Sequence, residues 1–553
     1  MRDETVPAAH GSFGGACWVA AWMGIGLAFA APAARAAGAR PGPTADGPVA
    51  SAPVTPISSA PLASLPVLGP YAGEPKEARP RRKPAHAVPA PGWKDDATAT
   101  DPLAARGVNS SRRTPSPTLN VDGSPNQCGC SPPDTIGAAG PSHYVQMVNA
   151  TAVQIFDKAG TSVSGPSQIG LLWPVGSSCR NSSNGDPVAV YDGMANRWLL
   201  AQFSTGNGVC VAVSQTGDPT GTYFLYEFLT PDFPDYFKIG AWSNAYYMSA
   251  NETNYSAYAL DRTKMLAGQA ASFIRFTMAN PQNLLMPATV VGPTPPGPTD
   301  PGIFYTFLDN SFHGVAADRL DFFHFSPDFT TPANSTFTLA QSVPLTSFTY
   351  TVCGFFNLNC APQSGTAQRV DVVSEWPMWQ LQYRDLGAGG KKLVGNFTVD
   401  AGSDRAGIRW FEVTKSGATY TLTQEGTHAP ADTLHRFMGS IGIDRSGGIA
   451  LGYSTASATT FPSISFASRG ASDAAGTLQT ESLLFAGAGS QTGSNRWGDY
   501  SAMTVDPSDD CTFWYTNQYY QTNSSNSWRT RIASFKLPEC VVLPVQLQGF
   551  DVD

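Results

Sequence analysis

Charged residues are scarce in this sequence, and their scarcity limits the partners that the protein can have. Only 14% of the 553 residues are charged, the net charge is −8, and the aromatic-rich part of the chain contains no run of Lys or Arg. Binding to a nucleic-acid backbone requires clustered basic side chains. We therefore expect no nucleic-acid partner.

Several catalytic motifs are missing as well. The sequence has no Gly-x-Ser-x-Gly, no His-Glu-x-x-His and no phosphate-cradling glycine loop. These absences argue against serine hydrolases, zinc proteases and nucleotide chemistry. There are only seven histidines, so a histidine-dependent mechanism would have to depend on His435, which lies near the ligand site predicted below.

Turn-forming and aromatic residues are abundant instead. The chain contains 54 Gly and 45 Pro, and aromatic residues make up 11% of it. This composition is typical of turn-rich all-β proteins, whose many short strands need frequent turns. We therefore predict an all-β fold.

The N-terminus has the pattern of an export signal. An apolar run at 17–31 precedes Ala34-Arg35-Ala36, the small-x-small pattern that signal peptidase cleaves. The run is shorter than the roughly 20 residues that span a bilayer. We predict a signal peptide at 1–36, no transmembrane segment after its removal, and a secreted or extracellular protein, with the periplasm or the cell surface as alternatives.

Two further segments are predicted to lie outside the folded body. Residues 37–119 are rich in Pro, Ala, Ser and Thr and lack apolar periodicity, which predicts a disordered linker or propeptide. The basic run at 79–83 is interpreted as a solvated part of it. The tail at 541–553 is either an extra strand or the remnant of a sorting segment, and the body is placed at 120–540.

The cysteines indicate an oxidising compartment. Cys17 falls in the signal, which leaves an even number that permits complete pairing. Sequence order suggests three disulfides, and the fourth pair is less certain because its Cys-x-Cys spacing is also a weak zinc signal. The three suggested disulfides are Cys179–Cys210, Cys353–Cys360 and Cys511–Cys540, and the less certain pair is Cys128 with Cys130.

A recurring unit organises the body: a polar residue, a strand of small and β-branched residues, a turn, and a strand rich in aromatics. The units begin at Asp134, Asp186, Asp235, Pro287, Pro377, Phe437 and Asp499, at spacings of 52, 49, 52, 90, 60 and 62 residues. A four-stranded propeller blade repeats every roughly 40 to 50 residues. We therefore predict a single β-propeller of seven four-stranded blades, with an insertion at 352–368 in the longest interval.

These segments also resemble a known group of proteins. The stretches PPDTIGAAGPSHYVQMVN, GDPVAVYD, LQYRDLG, RWGDYSAM and DDCTFWYT resemble a largely uncharacterised family of bacterial secreted β-propeller proteins. The resemblance covers nearly the whole body and implies a propeller without implying an activity. The body is also similar in a general way to sialidase-type propellers, although Asp444-Arg-Ser-Gly-Gly-Ile is only an approximation to their repeated turn.

The residues that open the units predict a ligand site. Loops that lead into the inner strands of a propeller converge on one mouth of the central channel. We predict a polar, ligand-binding ring there, made of Asp134, Asp186, Asp235, His435, Arg436, Arg496 and Asp499, joined by Tyr383 and Arg384. Carboxylates that share a channel repel one another unless a cation or the arginines compensate. Calcium is a candidate cofactor on this reasoning, with Asp186, Asp235 and Asp499 as its ligands.

Three functions remain open at this stage. The first is a binding module that recognises an extracellular glycan or surface protein at the channel mouth, with the chain acting as a monomer. The second is a glycan hydrolase or lyase that uses the channel carboxylates. The third is a structural or adhesive cell-surface protein, held away from its attachment point by the Pro-rich arm.

Overall fold

The computed structural model describes residues 46–69, 71, 76–77, 83, 88–96, 98, 100–104, 108–182, 184–278 and 283–541. The predicted signal peptide, the basic run at 79–82 and the tail beyond residue 541 lie outside the described residues. No helix of the described residues is both long enough and apolar enough to cross a membrane.

The regular secondary structure consists almost entirely of β-strands. The N-terminal strands are β1 (Val49–Ala50), β2 (Ile57–Ser58), β3 (Lys76–Glu77), β4 (Val108–Arg113), β5 (Leu119–Asp122) and β6 (Cys130–Ser131). They are followed by β7 (Ile136–Ala139), β8 (His143–Val148), β9 (Ala152–Asp157), β10 (Ser162–Gln168), β11 (Val188–Asp192), β12 (Arg197–Phe203), β13 (Gly208–Ser214) and β14 (Tyr223–Leu229). The middle of the chain forms β15 (Asp235–Ala241), β16 (Tyr246–Asn251), β17 (Tyr255–Leu260), β18 (Phe273–Thr277), β19 (Met286–Val290), β20 (Gly302–Leu308), β21 (Arg319–Ser326) and β22 (Thr336–Pro344).

The remaining strands continue the same pattern. They are β23 (Pro377–Asp385), β24 (Lys391–Asp400), β25 (Ala406–Ser416), β26 (Thr419–His428), β27 (His435–Ile443), β28 (Ile449–Ser457), β29 (Thr460–Arg469), β30 (Leu478–Thr480), β31 (Ser482–Phe485), β32 (Ala502–Val505), β33 (Thr512–Tyr519) and β34 (Arg529–Lys536). The described residues also include two short helices, α1 (Arg262–Leu266) and α2 (Asn310–His313), and the 3₁₀ turns Leu62–Ser64, Ile169–Leu172, Pro332–Asn334 and Gly387–Gly389.

The strands pair with their neighbours in sequence as antiparallel meanders. The meanders are β7–β10, β11–β14, β15–β18, β19–β22, β23–β26, then β27, β28, β29 and β31, and finally β32–β34. In the last meander β5, from the N-terminal side, pairs with β34 as the outermost strand. Two distant parts of the chain are thus joined in one sheet, which removes a free edge.

The first strands of successive meanders lie against one another. Strands β7, β11, β15, β19, β23, β27 and β32 contact each other in this order, and β32 contacts β7. Between β19 and β23 the contact is a parallel ladder in which Ala288 is opposite Leu381. The inner strands therefore form a closed ring with the meanders radiating outward, which is the architecture of a β-propeller.

An inner strand begins within three residues of each unit start that the sequence predicts. The longest interval contains a segment without regular strands between β22 and β23, closed by the Cys353–Cys360 disulfide. The stretch at 319–326 within that interval forms β21, one of the outer strands of its meander.

Aromatic side chains fill the space between the sheets. Trp198, Trp242, Trp410 and Trp497 are at most 1% exposed. Trp242 packs against Tyr383 with ring centroids 4.9 Å apart. Such rings bury large apolar areas in both neighbouring sheets, so the recurrent aromatics are packing residues.

The N-terminal arm is not wholly disordered, contrary to the prediction for 37–119. Strand β1 pairs with β18, β2 pairs with β14 and β4 pairs with β30. Asp101 is buried and its carboxylate lies 2.6 Å from the Arg409 guanidinium. The prediction is wrong for these segments because they dock through backbone hydrogen bonds and through ion pairs of Asp101 and Arg112, which need no apolar periodicity.

All eight cysteines of the body are paired. The three predicted disulfides, Cys179–Cys210, Cys353–Cys360 and Cys511–Cys540, are confirmed. Cys128 and Cys130 also form a disulfide, so this pair is not a metal site. Four disulfides are consistent with an oxidising compartment.

Candidate functional site

Four of the predicted aspartates come together at the starts of the inner strands. Asp134 and Asp186 each lie two residues before such a strand, Asp235 is the first residue of β15, and Asp499 lies just before β32. Their exposed fractions are only 1% to 8%. We refer to Asp134, Asp186, Asp235 and Asp499 as the aspartate cluster.

The local backbone explains why aspartate recurs at these positions. Asp134 and Asp186 have φ angles of 42° and 48°, in the left-handed region. Asp and Asn tolerate this region better than most residues because their short side chains bond to nearby backbone groups. The repeated aspartates therefore have a structural role at the point where the chain turns into the channel.

Hydrogen bonds tie the aspartates to one another. The backbone N–H of Asp499 donates to Oδ1 of Asp134 over 2.9 Å. The side chain of Asn149 donates to Oδ2 of Asp134 over 2.7 Å and accepts from the backbone N–H of Asp186 over 3.0 Å. Arg496 contributes a positive charge, with Nη2 at 2.8 and 2.7 Å from the two carboxylate oxygens of Asp499.

A lysine that the sequence analysis missed completes the cluster. Lys238 of β15 is fully buried, and its Nζ lies 3.6 Å from the ring centroid of Tyr236 and 4.0 Å from that of Tyr500. The ammonium also donates to the carbonyl of Phe237 over 3.1 Å. The signal in the sequence was a lone lysine within an otherwise apolar inner strand.

Burial shifts the pKa values of these groups in opposite directions. Desolvation, followed by the charge of Asp499, raises the pKa of Asp134 to about 7. Desolvation and the charge of Asp134 also raise the pKa of Asp186 well above its ordinary value. Desolvation lowers the pKa of Lys238 to about 8, although the neighbouring carboxylates oppose this shift.

The arrangement of side chains gives no support to the predicted calcium site at Asp186, Asp235 and Asp499. Within the described part of the chain, no three His, Cys, Asp or Glu side chains are arranged to hold a metal ion. Lys238 and Arg496 provide the positive charge that the carboxylates require. The sequence analysis names a cation or the arginines as the compensating charge, and the structure adds the buried Lys238 to Arg496.

One predicted member of the ring, Arg436, belongs to a separate network. Arg436 donates to the carboxylates of Asp432 and Glu481, with Nη2 at 2.7 and 2.8 Å. His428 and the Tyr453 hydroxyl also contact Glu481. The prediction placed Arg436 in the channel ring because it lies next to a strand start, but adjacent residues in a strand point to opposite faces.

His435 is a packing residue in this structure. It is 7% exposed, and its Nδ1 lies 3.3 Å from the backbone nitrogen of Ala406. Desolvation, together with the charges of Arg369 and Arg405, lowers its pKa to about 4. This neutral imidazole has no contact with the aspartate cluster among those of the described residues, so its predicted place in the ring is not supported.

Tyr383 and Arg384 lie at the far end of the inner strands, not with the aspartates. They are close to the C-terminal end of β23, whereas the aspartate cluster gathers at strand starts. Tyr383 packs on Trp242. The unit opens at Pro377, as the sequence predicts, and the six residues from there to Tyr383 carry this pair along β23 away from the strand start.

A cavity of about 710 Å³ lies at the end of the inner strands to which Arg384 belongs. Its walls come from inner strands and from the turns that follow them, including the turns after β11, β23, β27 and β32. Among its lining residues are Tyr191, Met194, Thr294, Trp379, Gln380, Arg384, Asp385, Arg445, Asp509 and Asp510. We call this space the turn-side cavity.

Aspartates fix the shapes of two of these turns. Oδ1 of Asp444 accepts hydrogen bonds from the backbone N–H groups of Ser446 and Gly448 over 2.8 and 2.9 Å. Oδ1 of Asp506 accepts from the backbone N–H of Ser508 over 3.0 Å. Such Asx bonds define tight turns, and the first of these turns carries Arg445 to the rim of the cavity.

Comparison with known proteins gives only distant likenesses. No protein-family model and no curated protein matches the chain. The structure is similar to the WD40 domain of SCAP from fission yeast, at 9% identity and a TM-score of 0.33, over 75% of this chain and 97% of that one. It is also similar to an α-L-arabinofuranosidase from Fusarium graminearum, at 11% identity and a TM-score of 0.32, over 64% and 92% of the two chains.

A third similar structure is an exo-β-1,3-galactanase from Clostridium thermocellum. The identity is 8% and the TM-score 0.27, over 62% of this chain and 81% of that one. Likenesses at this distance carry no argument about the chemistry of the present chain. Its function has to be inferred from its own residues.

Proposed function

We propose that this protein is a secreted, monomeric, seven-bladed β-propeller that binds an extracellular glycan in the turn-side cavity. The observation that carries the proposal is the cavity itself. Its volume of about 710 Å³ lies within the range of roughly 300 to 1,000 Å³ that is typical of small-molecule sites. Guanidinium, carboxylate, amide and aromatic groups line it, and these are the groups that hydrogen-bond and stack on sugars.

The ring of inner strands described above supports the proposed blade count. Each of its members, from β7 to β32, starts one antiparallel meander, and we interpret each meander as one blade. The pairing of β5 with β34 supports this count, because propellers commonly complete their last blade with a strand from the other end of the chain.

The position of the cavity favours the turn side over the mouth that the sequence predicts. The aspartate cluster is at most 8% exposed, and its charges are balanced within the protein. A ligand on that side would have to displace these internal contacts. The turn-side cavity, in contrast, carries exposed residues such as Thr294 and Arg445 on its rim.

Catalysis is the second candidate, and one observation favours it. The pKa of Asp134 is raised to about 7 and that of Lys238 is lowered to about 8 within a single cluster, and perturbed values of this kind are frequent at active sites. A catalytic cluster predicts glycan cleavage that is abolished by Asp134→Asn while the fold is retained. For the structural or adhesive alternative we find no specific supporting observation.

A binding experiment tests the proposal. The full secreted chain is titrated by calorimetry with a panel of neutral and acidic oligosaccharides, beside the variant Thr294→Trp, whose indole should occupy the cavity. The matched control is Thr161→Trp, which adds the same side chain at an exposed position outside the cavity lining. Binding lost in the first variant and kept in the second supports the proposal, and binding unchanged in both removes the cavity as the site.

A further inference from the structure

The carboxylates around the turn-side cavity already have partners. Asp510 accepts a hydrogen bond from Nη1 of Arg384 over 2.7 Å. Asp509 accepts from the backbone N–H groups of Cys511 and Thr512 and from the Lys536 ammonium at 3.2 Å. These bonds lower the pKa of Asp509 although burial opposes the shift.

Asp385 is used in a similar way. Its Oδ1 accepts the backbone N–H of Gly387 over 2.9 Å and so closes the turn after β23. The acidic side chains of the cavity are thus engaged as turn caps and as ion-pair partners. Their negative charges are balanced or hydrogen-bonded inside the protein, which reduces their effect on a ligand.

The two arginines, in contrast, retain free donors. Arg384 is 1% exposed, and its Nε donates to the carbonyl of Ile443 over 2.8 Å. Its Nη2 has no hydrogen-bond partner within the described residues. The side chain of Arg445 is exposed and makes no hydrogen bond or ion pair with any other residue that the structure describes.

Strand β23, which carries Arg384, has two more buried polar atoms without a hydrogen-bond partner in the described part of the chain. Nε1 of Trp379 and Oε1 of Gln380 are buried without a hydrogen-bond partner among the described residues, and both residues line the cavity. A buried donor without a partner costs roughly 1–3 kcal/mol relative to a bonded one. Three such residues on one stretch of β23 exceed what is usual for a packed core.

The backbone comes so close to the buried Arg384 guanidinium at Gly292 that a side chain there would not fit. Gly292 also lines the cavity, its φ is +85°, and a Cβ placed on it would lie 2.7 Å from Nη1 of Arg384. Any larger residue would collide with the guanidinium, so the glycine keeps Arg384 in its position.

We propose that the turn-side cavity recognises an acidic group on its saccharide ligand, a carboxylate or a sulfate, through Arg384 and Arg445. This inference deepens the proposed function and rests on it. A planar guanidinium with free N–H donors matches the oxygens of either group. Arg384 lies deep in the wall and Arg445 at the rim, so they would hold the anion from two sides.

The test compares saccharides that differ only in charge. The full chain is titrated with oligogalacturonides, with the same oligomers after methyl esterification, and with a sulfated oligosaccharide of similar length. Arg445→Gln removes the rim charge at an exposed position with no internal partner, and Arg529→Gln, also exposed, is the matched control. Thermal unfolding of both variants checks that the fold is retained.

We expect acidic oligomers to bind about tenfold or more tightly than the esterified ones, and Arg445→Gln to remove this advantage while Arg529→Gln preserves it. The acidic advantage should decrease as salt increases. A preference for the sulfated or the uronate oligomer identifies the source of the anion.

Equal binding of charged and esterified oligomers, unaffected by Arg445→Gln, would overturn this inference and leave the proposed glycan-binding function in place. Failure of every saccharide to bind would overturn both.

Discussion

The buried Lys238 makes a strong prediction about stability. It is enclosed by the rings of Tyr236 and Tyr500 and faces the charges of the aspartate cluster. Lys238→Met keeps the length and most of the volume of the side chain but removes its charge. Removal of one partner from a buried group of charges typically costs about 3–5 kcal/mol, because the remaining charges stay desolvated.

The structure also gives the dependence on pH. The pKa of Asp134 is about 7 in the folded protein, against 3.8 for an aspartate outside the fold. Between these pH values the folded protein therefore binds a proton that the unfolded chain has lost. Stability therefore falls as the pH rises through this window, by about 4 kcal/mol for this one group.

The titration of Lys238 changes the stability of the fold in the opposite direction, at higher pH. The pKa of this lysine is about 8 in the folded protein, against 10.5 for a lysine outside the fold. Between these pH values the unfolded chain therefore binds the additional proton. Stability therefore rises with pH in that window. The contribution of the cluster to stability is lowest between about pH 7 and pH 8.

The variant should change this profile in a defined way. At pH 7.5, Lys238→Met should lower the free energy of unfolding by about 3–5 kcal/mol, because the aspartates lose their compensating charge. At pH 5 the loss should be close to zero or reversed, because Asp134 is then protonated and an unpaired ammonium would itself be costly to bury. The increase in stability above pH 8 should disappear.

Urea unfolding followed by tryptophan fluorescence at pH 5 and 7.5 measures these differences. The matched control is Lys94→Met, which removes an exposed charge and should change stability by less than about 0.5 kcal/mol at either pH. An equal loss at both pH values, or no loss at pH 7.5, would refute the argument that Lys238 compensates the buried carboxylates.

Other parts of the fold give further predictions, all measurable by urea unfolding. Asp101→Asn removes the buried carboxylate that pairs with Arg409 and should lower the free energy of unfolding by about 3 kcal/mol. The control Asp96→Asn, at an exposed position, should change it little. Equal effects of the two variants would mean that the arm is not anchored at this ion pair. Gly240→Ala places a Cβ 2.3 Å from a backbone oxygen of the next inner strand and should lower the free energy of unfolding by about 3 kcal/mol. The control Gly206→Ala places a Cβ where no atom lies within 4 Å and should leave stability unchanged. Replacing both cysteines of Cys179–Cys210, which are 31 residues apart in sequence, should lower the free energy of unfolding by about 4 kcal/mol. Replacing both cysteines of Cys353–Cys360, which are 7 residues apart, should lower it by about 2 kcal/mol. The reverse order would contradict the loop-closure explanation.

Much of the fold could be predicted because its information is local. A strand, a turn and an aromatic strand recur along the chain, and the inner strands begin where the sequence changes from polar to small and β-branched residues. The disulfides join nearby cysteines in sequence order for the same reason. The turn at 506–510 is also local, since an Asx bond of Asp506 fixes it.

The docking of the N-terminal arm could not be predicted in this way. Strands β1 and β2 pair with strands that lie more than 150 residues later in the chain. Short segments of this kind are held by backbone hydrogen bonds, which any sequence can make. Their composition resembles that of a disordered linker, and only the available sheet edge decides that they are ordered.

By itself, the sequence determined that the chain is an all-β repeat, which residues start each unit, and that buried carboxylates would need compensation by positive charge. The tertiary structure decided that Lys238 and Arg496 supply that charge, that Arg436 belongs to another network, and that Arg384 and Arg445 meet at a cavity on the turn side. The reason is physical: periodicity and turn chemistry act between neighbours in sequence, whereas electrostatic partners and cavities depend on which strands the closed ring brings together.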